Sequence, residues 1–184
     1  MCIIDFLNYQ PFGYDKSMAI TAWILGVFWF VVYNVYVLWH INGICKDHKT
    51  FDILPKSISQ SYYMIDVRWL FKMFMFSSIF AILCICQNVL YAIVGLFFLI
   101  MTVNPSVNSG DRYLIPHMIG AITAITLGIL GLGICYSMWP WVIITAIEVL
   151  ITYLICRKSN SLIYFIELGS LTMLMFGLLF SIFK

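Results

Sequence analysis

Charged side chains are scarce in this sequence. Asp, Glu, Lys and Arg make up only 10% of its 184 residues, whereas soluble globular proteins usually carry about 25%. Hydrophobic residues account for 63% of the chain, and the mean hydropathy is +1.00. A water-soluble fold of this length has too little interior to hide so much apolar surface. The composition therefore predicts an integral membrane protein.

The residue patterns of several functional classes are also missing. The sequence contains no CxxC pair among its six cysteines, and no two of its three histidines are one helical turn apart. It also lacks GxGxxG, the P-loop, GxSxG and HExxH. We therefore expect no disulfide framework, no metal and no cofactor. The net charge of +2 is too small to indicate nucleic acid as a partner.

Long apolar runs predict the fold. A helix needs about 20 predominantly apolar residues to cross a hydrocarbon core about 30 Å thick. No charged residue lies between Lys72 and Asp111, so we divide that stretch into two spans at the turn of residues 87–88. We predict an all-α polytopic membrane protein, a single transmembrane domain over residues 1–184 that forms a bundle of six helices. Its spans are residues 17–39, 67–86, 88–103, 113–135, 139–156 and 162–183.

The two sides of this bundle differ in charge. The loops after spans one, three and five share a side and hold most of the basic residues, which are Lys46, Lys49, Lys56, Arg68, Lys72, Arg112, Arg157 and Lys158. The other side holds Lys16 and Lys184. Cytoplasmic loops carry an excess of Lys and Arg. We therefore expect a multi-pass protein of the cell membrane, with these three loops in the cytoplasm and both termini outside.

Small residues recur at every fourth position of span four. Gly120, Ala124 and Gly128 lie on one helix face, where another helix backbone can approach closely. We favour packing of this face within the bundle. The alternative is a homo-oligomer that associates through the same three residues.

Acidic residues inside a membrane span are rare and need an explanation. Glu148 lies nine residues before Arg157, about 13 Å below that end of span five. Thr145 and Thr152 share its helix face. The simpler interpretation, which we favour, is a carboxyl group hydrogen-bonded within the bundle. The functional alternative is a proton or cation relay.

Three polar residues share a depth in the membrane. Asn34, His117 and Glu167 each lie five or six residues inside a predicted span, about 7 to 9 Å below the side that carries the loop after span one. If their helices adjoin, they form a polar cluster beneath that loop. The alternative is a set of groups satisfied near the interface without a ligand.

The loop over this cluster supplies further candidates. Pro55 stiffens it, and we expect an ordered loop that returns the chain to the membrane. Its serines can bond to local backbone groups, and its tyrosines are suited to the membrane interface. The candidate ligand-binding residues are Asn34, Ser57, Ser59, Tyr62, Tyr63, His117, Glu148 and Glu167. No catalytic residue can be assigned from the sequence.

The loop sequence LPKSISQSYY resembles the LP-x-SIS-x-x-YY loop of an uncharacterised group of small bacterial polytopic membrane proteins. The resemblance continues with an apolar helix that ends near Pro105, with His117-Met-Ile-Gly-Ala and with Tyr164-Phe-Ile-Glu167. It covers the chain from Leu54 to the end. The resemblance implies a six-helix bundle in which the histidine and the glutamate matter, and it implies no substrate.

A looser similarity is to a larger class whose first loop carries a Pro-Ser-Ile-Ser stretch followed by Asp. Gln60 stands at that acidic position in this sequence, so a role that needs a carboxylate there is not implied. The similarity to this class implies a loop on the non-cytoplasmic side, which conflicts with the charge count. We keep the orientation that the charges predict.

Three classes of function agree with these features. The first, which we prefer, is a protein that binds a membrane lipid or a small molecule in the polar site beneath the loop, as a transporter or sensor would. The second is a structural or interaction subunit of a membrane assembly. The third is an intramembrane lipid-modifying enzyme in which Ser59 or His117 acts in acid–base or nucleophilic chemistry. The enzyme requires a base within about 3.2 Å of its nucleophile.

Overall fold

The computed structural model describes residues 15–44, 54–86, 88–103 and 114–183. Within these ranges the regular secondary structure is entirely helical, which confirms the predicted all-helical membrane bundle. The seven described helices are α1 (Lys16–Ile44), α2 (Ile58–Met64), α3 (Trp69–Cys86), α4 (Val89–Val103), α5 (Leu114–Tyr136), α6 (Trp139–Cys156) and α7 (Leu162–Ile182).

Five of the described helices, α1, α3, α5, α6 and α7, are long and apolar enough to cross a membrane. The remaining apolar helix, α4, has 15 residues, so it is about 22 Å long and shorter than a typical hydrocarbon core. Each predicted span falls on one of these six helices. The ends differ by two residues or fewer, except that α1 continues to Ile44. The loop after α4, residues 104–113, lies outside the described residues.

Contacts between distant helices define the two ends of the bundle. The Lys16 Nζ lies 4.8 Å from the centroid of the Phe183 ring, so the start of α1 is beside the end of α7. The Tyr136 hydroxyl donates a hydrogen bond of 3.3 Å to the Cys86 carbonyl oxygen at this same end. We call it the terminal end. The opposite end, where α2 packs, is called the α2 end.

The small-residue face of α5 packs inside the chain. A Cβ atom at Gly120 would lie 2.9 Å from the Phe97 carbonyl oxygen of α4, and Ala124 is fully buried. Gly128 packs against Leu174 of α7. The bundle itself therefore occupies this face, as we favoured from the sequence. A homo-oligomer that uses these residues stays a prediction.

The outermost helix of the bundle is α6. Thr145 is its one buried residue, and it contacts mainly α5 and α7. Its exposed side chains are large and apolar, among them Ile143, Ile147, Leu150 and Leu154. Such a surface is suited to lipid. Because α6 touches the bundle along a narrow strip, it leaves a cleft on either side.

Replacing Gly120 by Ala tests the close contact between α4 and α5. The new Cβ would meet the Phe97 carbonyl oxygen at 2.9 Å and the Met101 nitrogen at 3.1 Å. Both are backbone atoms, so the helices must separate, and overpacking costs roughly 1–3 kcal/mol. We expect a lower midpoint of thermal unfolding in detergent micelles.

Gly95→Ala is the matched control. Its Cβ would meet the end of the flexible Leu83 side chain at 3.2 Å, and both substitutions gain similar helix propensity. Equal changes in the midpoint for the two variants would contradict the close α4–α5 contact.

Candidate functional site

A short helix lies where the sequence predicted an ordered loop, and its residues Ile58, Ser59 and Ser61 are buried. Ser57 is the N-cap of α2, and its hydroxyl accepts a hydrogen bond of 3.2 Å from the Gln60 N–H. The Gln60 side chain in turn accepts from the Lys56 N–H. This arrangement resembles a capping box, whose Ser-x-x-Gln signature is visible in the sequence. Ile58 and Ile65, at the two ends of α2, are buried and fix the helix to the bundle.

The chain just before α2 is tied to the start of α7. The Ser161 hydroxyl donates to the Leu54 carbonyl oxygen at 3.0 Å. The Tyr164 N–H donates to the Lys56 carbonyl oxygen, also at 3.0 Å. Because both carbonyls belong to the segment that leads into α2, these bonds set where the short helix begins.

A third attachment joins α2 to α1. The Tyr33 hydroxyl and the Ser61 hydroxyl are hydrogen-bonded, and both residues are fully buried. The Tyr33 ring stacks on Phe74 of α3, with ring centroids 5.2 Å apart. The aromatic packing fixes the ring, so its hydroxyl is a rigid anchor for the middle of α2.

Glu167 holds the first residue of α2. Its Oε2 accepts a hydrogen bond of 2.7 Å from the Ile58 N–H. The first N–H groups of a helix have no partner within the helix, and an unpaired N–H in a membrane interior is costly. The acidic residue within α7 therefore has a definite structural partner.

A serine and a histidine meet beside this contact. The Ser59 Oγ lies 2.5 Å from the His117 Nε2, and their side chains are almost inaccessible, with 2% and 5% of their surfaces exposed. The His117 Nδ1 lies 3.3 Å from the Met101 carbonyl oxygen. That carbonyl can only accept, so Nδ1 carries the proton in the neutral ring. Nε2 is then the acceptor, and the Ser59 hydroxyl donates to it.

Asn34 reaches the same region through a tyrosine. Its Oδ1 accepts a hydrogen bond of 3.3 Å from the Tyr164 hydroxyl, and its Nδ2 donates to the Phe30 carbonyl oxygen at 2.7 Å. Tyr164 lies one helical turn before Glu167 and shares its face of α7. The structure thus brings Asn34, His117 and Glu167 to the α2 end, each through a different partner.

The other candidates from the loop have packing roles. Tyr62 packs its ring against Phe71 at 5.3 Å between centroids, and the Arg68 guanidinium lies 5.6 Å from the Tyr62 ring centroid. Tyr63 is exposed and packs edge-on against Tyr62. Ser57 is the cap described above. These three side chains therefore shape α2 and its contact with α3.

Glu148 lies apart from this cluster. Its Oε1 accepts a hydrogen bond of 2.9 Å from the Thr152 hydroxyl, and its carboxylate packs against Gly169 of α7. Gly169 is two positions after Glu167, which places it on the opposite side of α7. The Glu148 Oε2 is buried and has no hydrogen-bond partner among the described residues. The structure therefore does not bring Glu148 to α2.

Two spaces of very different size meet at Glu167. Beneath α2 there is a cavity of about 10 Å³, lined in part by Ser59, Met101 and Ile125. That volume is about what one water molecule requires. A cleft of about 540 Å³ opens between α5, α6 and α7. Ile125 and Glu167 line both spaces, so these two side chains separate the cleft from the buried cavity.

The cleft is mostly aliphatic and was not foreseen from the sequence. Its polar lining consists of Thr126, Thr145, Glu167 and Ser170. The helical spacing of Glu167 and Ser170 indicates a polar face on α7 in the sequence. The cleft itself depends on how α6 leans against its neighbours, which no local pattern specifies.

Comparisons of the chain with protein-family models, with curated proteins and with solved structures find no match.

Glu167→Leu tests the attachment of α2. The variant loses the acceptor for the Ile58 N–H, and such a hydrogen bond contributes about 1–3 kcal/mol. We expect the amides of α2 to exchange with deuterium roughly 5- to 150-fold faster. The measurement is hydrogen exchange of residues 58–65 followed by mass spectrometry.

Glu148→Leu is the control, because it removes the other acid within the long helices without touching α2. Unchanged exchange in Glu167→Leu, or an equal acceleration in both variants, would show that the carboxylate does not hold α2. Glu167→Gln keeps an acceptor oxygen and should lie between Glu167→Leu and the unmodified protein.

Proposed function

We propose that this protein binds a membrane lipid, with the acyl chain in the cleft between α5, α6 and α7 and the polar part of the lipid at Glu167. The observation that carries the proposal is the cleft itself, a mostly aliphatic space of about 540 Å³ that is lined by the Glu167 carboxylate. Its volume lies within the range of about 300–1,000 Å³ that is usual for ligand sites.

The position of the cleft favours a lipid over a water-soluble ligand. Its walls belong to three helices that are long and apolar enough to cross a membrane. A cleft between such helices opens onto hydrocarbon, so the molecules that reach it first are lipid chains. The side chains that line it, such as Ile122, Ile129 and Val149, pack well against an acyl chain.

The Glu167 carboxylate limits which polar groups the ligand can carry. The Glu167 Oε2 accepts the hydrogen bond from the Ile58 N–H, and the same side chain lines the cleft. A carboxylate oxygen accepts hydrogen bonds, so it favours an O–H or N–H group and disfavours an anionic phosphate. A glycerolipid with a free hydroxyl, such as a monoacylglycerol or diacylglycerol, satisfies both requirements.

Ligand binding and the position of α2 share one side chain. A lipid hydroxyl that approaches Glu167 bonds to the carboxylate that also holds the Ile58 N–H. Any rotation of this side chain toward the cleft loosens α2. This coupling supports a sensor or transporter, in which the occupancy of the cleft changes the face that carries α2.

The proposed topology has six spans, with α4 crossing the membrane as the third. In support, the Tyr91 hydroxyl donates to the Gly128 carbonyl oxygen at 2.8 Å, and the Met101 carbonyl lies beside His117 at the α2 end. Because Tyr91 and Met101 lie near opposite ends of α4, the helix packs alongside α5 for most of its length. The basic residues favour a cytoplasmic α2 end, with both termini on the outer side of the cell membrane.

A photoreactive lipid tests the proposed site. The probe is a monoacylglycerol with a diazirine in its chain, placed in vesicles of phosphatidylethanolamine and phosphatidylglycerol. We expect crosslinks on peptides from α5, α6 and α7. Ala146→Trp fills the cleft from the side of α6 and should reduce these crosslinks roughly tenfold, the equivalent of about 1.4 kcal/mol.

Two controls separate specific binding from contact with bulk lipid. Ile147→Trp adds the same ring at an exposed neighbour outside the cleft and should leave the crosslinks unchanged. A probe with methylated hydroxyls lacks donors for Glu167 and should crosslink about 2- to 10-fold less. Crosslinks spread evenly over all lipid-facing helices, with no effect of Ala146→Trp, would refute the site.

A further inference from the structure

Among the described residues, most buried serine and threonine hydroxyl groups bond to the helix that carries them. Ser77 and Ser78 both donate to the Phe74 carbonyl oxygen at 2.9 Å, and Thr102 donates to the Phe98 carbonyl oxygen at 2.7 Å. Bonds to the preceding helical turn are ordinary for serine and threonine in helices. Ser59 differs, because its partner is an imidazole on another helix, 58 positions along the chain.

This pair has the arrangement of a nucleophile and its base. The Ser59 Oγ and the His117 Nε2 are 2.5 Å apart. The Met101 carbonyl oxygen accepts a hydrogen bond from the His117 Nδ1, which favours the tautomer in which Nε2 is the acceptor. A hydroxyl is a weak nucleophile until an adjacent base takes its proton. A third group that orients the base completes the usual pattern. Here that third group is a backbone carbonyl in place of a carboxylate.

From this geometry we infer that Ser59 and His117 are catalytic residues for acyl transfer from the lipid bound in the cleft. The inference rests on the proposed function, since the cleft supplies the substrate. The substrate class is an acyl ester of glycerol with a free hydroxyl. The acyl acceptor is water.

The route from the cleft to the serine is short. Ser59 lines the cavity of about 10 Å³ beneath α2, and only Ile125 and Glu167 are common to that cavity and the cleft. Rotation of these two side chains joins the two spaces. The same rotation frees the Ile58 N–H, so entry of the ester and loosening of α2 occur together.

The reaction proceeds in two balanced steps. In the first, the Ser59 Oγ bonds to the ester carbonyl carbon and its proton passes to the His117 Nε2. The tetrahedral intermediate collapses, the bond to the glycerol oxygen breaks, and that oxygen takes the proton from His117. In the second, a water oxygen attacks the acyl-serine while His117 accepts its proton. Release of the fatty acid returns the proton to the Ser59 Oγ.

The buried site is consistent with this chemistry. Both side chains are almost inaccessible to solvent, and a water-excluded site strengthens electrostatic interactions between the reacting groups. The cavity beside Ser59 has room for about one water molecule, so we expect hydrolysis of the acyl-serine to be slow. A serine in this position should therefore react with small electrophiles faster than the other serines of the bundle.

A short-chain fluorophosphonate tests this reactivity on the full chain in phosphatidylethanolamine and phosphatidylglycerol vesicles. We expect covalent labelling of Ser59, identified by mass spectrometry, and release of fatty acid from a monoacylglycerol ester. Ser59→Ala should abolish both. Ser61→Ala is the matched control, because Ser61 lies in the same helix but bonds to Tyr33, and it should keep the labelling.

The base is tested separately, in case Ser59→Ala disturbs α2. His117→Gln should slow labelling of Ser59 about 100-fold or more, which is the usual contribution of a general base. Thermal unfolding of each variant shows whether the bundle remains folded. Labelling of Ser59 at the same rate in folded His117→Gln would overturn the role of the histidine.

The outcomes distinguish this inference from lipid binding. Unlabelled Ser59 in a protein that still crosslinks lipid in the cleft would overturn the acyl-transfer inference and leave lipid binding in place. Labelled Ser59 with fatty-acid release lost in Ala146→Trp would support both. Labelled Ser59 with release unaffected by Ala146→Trp would support the catalytic pair and overturn the cleft as its substrate site.

Discussion

The hydrogen bond from the Ile58 N–H to the Glu167 carboxylate joins a short helix at one end of the bundle to the last long helix of the chain. A helix that starts among apolar side chains must find acceptors for its first N–H groups. Glu167 supplies one from within α7. Together with the bonds from Ser161 and Tyr164 to the segment before α2, this contact fixes where α2 begins. It therefore helps to place Ser59 beside His117 and Ser61 beside Tyr33.

The two acids of the long helices illustrate how surroundings decide the role of a residue. Glu167 has a backbone donor, lies near the α2 end and lines the apolar cleft. Within the described residues, Glu148 accepts a hydrogen bond from the Thr152 hydroxyl of its own helix and packs against Gly169. Both residues follow the rule that ionisable groups within a membrane face the protein interior. Glu148 lines a separate space of about 440 Å³ between α6 and α7, whereas Glu167 joins its cleft to α2.

The helices were predictable because membrane thickness sets the length of apolar runs, and α6 begins and ends where charge and turn residues indicated. The helix α2 was missed although Ser57 and Gln60 carry a capping signal. Asn34, His117 and Glu167 lie at similar depths in their predicted spans, and this similarity correctly suggested that they share an end of the bundle. Their individual partners were not predictable, since helices that are apolar all round do not reveal from sequence which faces meet.

We propose Glu167 as the polar part of a lipid site, and native mass spectrometry of the purified protein tests this most directly. The predicted result is a bound acyl lipid that carries a free hydroxyl and is lost in Glu167→Leu but retained in Glu148→Leu. A protein that carries no lipid, or that carries the same lipids after either substitution, would contradict the account.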